Sequence, residues 1–88
     1  MTDENKLHAA RTRAMRAKAL LDNELLNEAF ASIEADLIAG WKLSQSRDTD
    51  GRERVWNALQ AVGKVKDFLH AAVADGTVAT RELLDKGE

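Results

Sequence analysis

The chain has no cysteine, no proline and no tyrosine, and among its 88 residues the only aromatic rings outside histidine belong to two Trp and two Phe. Without cysteine there are no disulfides and no thiolate metal sites, a composition that suits a reducing cytoplasm. The two histidines, His8 and His70, are far apart in sequence, and no Glu-x-x-His stretch supplies the di-metal pattern of helical bundles. No metal site is therefore expected. No apolar run approaches the ~18–20 residues needed to span a bilayer. The start Met1-Thr2-Asp3-Glu4 is acidic, unlike the basic start of a secretion signal, so the expectation is a soluble, intracellular protein with no membrane contact. Glycine-rich phosphate loops and nucleophile–histidine pairings are missing too. His70 has Asp67 one helical turn before it, an arrangement capable of acid–base work, but nothing beside it could act as a nucleophile. The reading is non-enzymatic, with no catalytic residue, cofactor or small-molecule substrate.

What is present favours helix. Ala, Leu, Glu, Lys and Arg dominate, and the β-branched residues recur at helical spacing without alternating over a strand length. The expected fold is all-α: a small antiparallel helical hairpin or bundle in one domain. Its parts are a basic helix over 3–21, a central hairpin of helices over 24–44 and 51–75, and a short C-terminal helix over 78–86. A chain of this size buries about 60–65% of its unfolded surface, just above the length at which single cores become marginal.

Net charge is −2, unevenly distributed. Between Asn5 and Leu21 stand Lys6, Arg11, Arg13, Arg16 and Lys18 with no acid, leaving eight of the thirteen bases against all fifteen acids elsewhere, a balance of −7. Thr2 or Asp3 can cap this first helix, and Leu7, Ala10, Ala14, Ala17 and Leu21 form one narrow stripe along it. Being mostly alanine, the stripe buries little area but permits close approach of another helix. The flanking bases have two readings. They are a solvated face turned toward the acidic remainder or a second subunit, or they are a nucleic-acid contact giving salt-dependent, sequence-independent binding.

Asp22-Asn23 interrupts the stripe, which reads as a kink, a short break or a continuous helix with a shifted face, and Asn23 is a plausible N-cap for the second helix. Leu26, Phe30, Ile33, Leu37 and Trp41 make the strongest amphipathic pattern in the chain. A polar joint, Ser44–Gly51, follows. Asp50 and Glu53 fit a capping box for the third helix, whose apolar positions run from Val55 to Val73. Asp75-Gly76 reads as its end, since glycine suits the residue just past a helix, with Thr77 or Thr80 starting the short fourth helix. The last residues, Asp85 to Glu88, are expected to fray. Folding the central helices antiparallel places Trp41 beside Val55, Leu37 beside Ala58 and Leu59, Ile33 beside Val62, Phe30 beside Val65, and Leu26 beside Leu69. A two-helix hairpin cannot hide both its wide faces, so other helices or another copy must cover what it leaves open.

Trp41 continues the stripe and reads as core. Trp56 reads equally as core edge or interface. With Arg47, Arg52 and Arg54 close by, the joint end is a candidate partner surface, because Trp and Arg are over-represented among binding hot spots. The plainer alternative pairs these arginines with Asp48, Asp50 and Glu53.

The stretch Leu21-Asp22-Asn23-Glu24-Leu25-Leu26-Asn27-Glu28-Ala29-Phe30, then Trp41, then Asp50-Gly51-Arg52-Glu53-Arg54-Val55-Trp56-Asn57-Ala58-Leu59, resembles a group of small helical proteins encoded by bacteriophages and prophages, usually without an assigned activity. The resemblance spans Leu20 to Val78 and consists of packing and capping residues. Related chains tend to carry proline where this one has Glu24. The resemblance implies a viral setting in the cytoplasm of a bacterial host, virion-associated in some cases, with virion assembly or DNA packaging as the process. It transfers no site residue. The resulting expectation is a homo-oligomer, or a protein docking on another phage or host protein. Nucleic-acid binding through the basic helix, and inhibition of a host protein, are the alternatives.

Overall fold

The computed structural model describes residues 3–86, and over them the chain is all-α, with no strand. Its elements are α1 (Asp3–Leu21), α2 (Glu24–Leu43) and α3 (Thr49–Lys86). They form two compact units, one of residues 1–23 and 67–88, the other of residues 24–66, with α3 contributing to both. The proposed Thr2 cap, and Gly87 and Glu88 of the end expected to fray, lie outside the described residues, whereas Asp85 and Lys86 are helical.

In the first unit, Asp3 and Glu4 lie in the first turn of α1 and Lys18 in its last, each favourably placed for the helix dipole. Leu7, Ala10, Ala14, Ala17 and Leu21 are the only described residues of α1 that are not exposed, so the alanine stripe is the packing seam. It packs on the C-terminal part of α3, where Ala72, Gly76 and Ala79 are buried together with Ala17. The contact is intimate. A Cβ added at Gly76 would overlap the methyl of Ala14 and come 3.3 Å from the Ala10 carbonyl oxygen.

That crossing corrects the expected end of the third helix. Gly76 is not a C-cap; among the described residues no glycine has positive φ, and α3 continues to Lys86, so there is no separate helix over 78–86. Gly76 is small because another helix lies against it. The two threonines turn inward on the same helix: Thr77 Oγ1 donates to the Val73 carbonyl at 3.2 Å and Thr80 Oγ1 to the Gly76 carbonyl at 2.8 Å. Such back-bonding one turn down is the mid-helix alternative to capping.

The second unit is the expected antiparallel hairpin of α2 with the first part of α3. Asn23 occupies the position before α2, so Asp22-Asn23 is a true break. At the far end the helix closes at Leu43, where Ser44 Oγ donates to the Trp41 carbonyl at 2.6 Å. The next helix starts at Thr49, two residues before the expected start. Its cap is Asp48, whose Oδ1 accepts from the Gly51 N–H at 3.1 Å while its carbonyl accepts from the Arg52 N–H at 3.0 Å. A carboxylate accepting from the third helical N–H satisfies one of the donors a helix start leaves open, and the Asp50–Glu53 pair falls inside the helix.

The antiparallel pairing is seen toward both ends of the hairpin, where Arg52 lies on Trp41 and Lys66 meets Phe30 and Glu34. Where Phe30 was expected against Val65, the neighbouring Lys66 lies over the Phe30 ring, its ammonium 5.3 Å from the centroid, and ion-pairs with Glu34. The long lysine stem covers apolar surface while its charge reaches a carboxylate. Glu34 and Lys66 are thus half-buried, while Ile33 and Val65 are 48% and 51% exposed.

Candidate protein-contact surfaces

The polar joint is held by one arginine. Arg52, half-buried in the first turns of α3, stacks its guanidinium 3.8 Å from the Trp41 ring centroid. Its Nη1 donates to the Ser44 carbonyl at 3.4 Å and to Ser44 Oγ at 3.3 Å. The planar guanidinium suits this double duty of stacking and donating, which a lysine ammonium would not reproduce. Arg52 was a candidate partner residue; its Nη1 and its flat face are engaged within the hairpin, where it holds Trp41. Arg47 is exposed, with Nε donating to Gln45 Oε1 at 2.9 Å. Arg54 borders a shallow polar recess with Asp50, Glu53 and Asn57 on the exposed side of α3.

Trp56 does belong to a surface. With Ile38, Trp41 and Leu59 it lines an apolar cleft of about 200 Å³. It is 58% exposed, and Trp41, expected in the core, is still 42% exposed beneath its arginine. A hairpin has no third layer to cover an indole at its rim, which is why a stripe residue remains open.

The five bases of α1 are divided by the seam between them. Lys6 and Arg13 border one flank of the α1–α3 contact, beside Ala72 and Asp75, and Arg13 lies 5.2 Å from the centroid of the Phe68 ring. Arg11 and Lys18 border the opposite flank, beside Val73, Thr77 and Thr80. Arg16 is exposed. Among the described residues the one ion pair made by these bases is Lys18 with Asp22 at 3.2 Å. The hydroxyls of Thr77 and Thr80, spent on backbone carbonyls, turn lone pairs rather than protons outward and are poor partners for an anion.

His8 and His70 are exposed, and among the described residues no three His, Asp or Glu side chains gather as a cation site would require. Over the same residues no helix is long and apolar enough to cross a membrane. Comparison of the chain with protein-family models, curated proteins and solved structures finds no match. Architecture alone assigns the class, a small all-α protein built on a helical hairpin, and the surfaces carry what can be said of its role.

The most informative feature of those surfaces was not visible in the sequence. Not one residue from Glu24 to Lys66 is buried, although α2 has the strongest apolar pattern in the chain. The hydrophobic spacing identified the stripe but could not say how little of it would be covered.

Proposed function

We propose that this protein is non-enzymatic and acts by protein–protein contact through the α2–α3 hairpin. One observation carries the reading: a hairpin rich in Leu, Ile, Val, Phe and Trp has no buried residue anywhere from Glu24 to Lys66. Apolar area left in water forgoes roughly 25 cal/mol per Å², and contiguous exposed patches of this kind mark interaction sites. The resemblance to phage-encoded helical proteins supplies the setting in which this contact acts, virion assembly or DNA packaging in a bacterial host. Hydrogen–deuterium exchange of the full chain, alone and in lysate of phage-bearing bacteria, tests the contact. Amides of residues 24–66 should exchange more slowly when the partner is present. Identical exchange at every concentration and in lysate would overturn the reading.

A second reading, nucleic-acid contact through α1, is favoured by the bases Lys6, Arg11 and Arg16, which have no ion-pair partner among the described residues. Fluorescence anisotropy with a labelled duplex at low salt decides it, since non-specific electrostatic binding is strongest there. Binding that weakens steeply with salt supports it; no binding at low salt removes it.

A further inference from the structure

We infer that the partner of the hairpin is a second copy of this chain, seated on the side that carries Ile33 and Val65 and completing a four-helix arrangement with it. This rests on the hairpin being a contact surface, and it adds which face is used and by what.

Helix geometry assigns the face. Phe30, Glu34 and Trp41 follow 3- and 4-residue spacing and point α2 toward α3, as their contacts with Lys66 and Arg52 require. At 100° per residue, Ile38 lies to one side of that line and Ile33 to the other. The cleft of Ile38, Trp41, Trp56 and Leu59 marks the first side. Because α3 runs antiparallel, Ala58, Val62 and Val65 turn toward the second side, the one occupied by Ile33. This second side is broad and apolar along both helices, and Gly40 lies on its α2 edge with nothing within 4 Å of where a Cβ would stand. That glycine costs about 1 kcal/mol of helix propensity, and no contact within the chain accounts for it. A helix from another copy, approaching closely, would.

Charge favours self-association over an unlike partner. A net charge of −2 gives little repulsion between copies. The Ile33–Val65 side also has unlike edges: Asp36 on the outer side of α2 and Arg54 on that of α3. A two-fold axis along the helices places each edge against the other copy's opposite one, so the face is complementary to itself, as a closed dimer demands.

The test is light scattering on the purified full chain from low micromolar to hundreds of micromolar, with two variants. A dimer is expected for the native chain. Val65→Glu, at a half-exposed position the single chain tolerates, should give a monomer with unchanged helical circular dichroism; Trp56→Ala, on the other side, should remain dimeric. A native chain that stays monomeric throughout overturns the inference. So does a dimer that survives Val65→Glu and is lost in Trp56→Ala. Monomeric purified protein combined with slowed exchange of residues 24–66 in lysate would end self-association and leave the contact reading standing.

Discussion

The two units solve the same problem, two helices side by side, in opposite ways. Residues of the first unit meet through alanine and glycine, and four of them are buried: Ala17, Ala72, Gly76 and Ala79. The hairpin of the second unit meets through Phe, Leu, Ile and Trp, and buries none. Small side chains let backbones come close enough for one layer of methyl groups to exclude water. Large ones hold helices apart, and with only two helices each side chain keeps one flank wet. Bulk therefore does not measure burial in a two-layer contact; it measures how much surface remains for a third element.

This contrast can be broken most sharply at Gly76. Gly76→Ala should destabilise the fold by roughly 1–3 kcal/mol, because the new methyl overlaps Ala14 and must force the helices apart. A denaturation midpoint equal to or above that of the native chain would show that the close crossing is not needed. Next in size is the cap of the hairpin's second helix: Asp48→Ala should cost about 1 kcal/mol through the lost bond to the Gly51 N–H, with Asp48→Asn retaining most of it. Gly63 is the counterpart of Gly76 in the open unit, with nothing within 4 Å of its Cβ position, and Gly63→Ala should stabilise by up to about 1 kcal/mol. Opposite signs at the two glycines are the clearest signature of the difference, and thermal denaturation at one fixed protein concentration reads both. The smallest effect belongs to the exposed Lys18–Asp22 pair; Asp22→Ala should change stability by a few tenths of a kcal/mol and by less still in high salt.

How much of this could be read from the sequence depended on whether the signal was local. The α1 stripe was legible in full, since each of its five residues obeys one helical period and no other interaction competes. The interruption at Asp22-Asn23 and the antiparallel pairing of α2 with α3 were legible for the same reason, whereas the stripe alone did not distinguish a break from a kink. Gly76 was misread because its meaning is tertiary: a glycine before two threonines looks like a helix end until Ala14 is known to lie on it. The Glu34–Lys66 pair was missed because two polar residues do not register in an apolar pattern, although the lysine stem works as one. At the candidate surface, composition located the Arg/Trp joint but not the division of labour within it. Arg52 spends its Nη1 on Ser44 and its flat face on Trp41, while Trp56 stays open, and only coordinates distinguish the two.

The contact of α1 with the end of α3 also fixes an order of events. Ala14 and Gly76 lie about 60 residues apart in the chain, whereas the joint contacts of Arg52 with Ser44 span only 8. During synthesis α1 is made before both helices of the hairpin, and the α3 surface that will shelter Ala17 is made after them. Until Ala79 has been made, α1 lacks that surface, while the hairpin can already close through its short loop. A nascent chain cut short before Ala72 would thus carry a formed hairpin and an α1 without its packing seam.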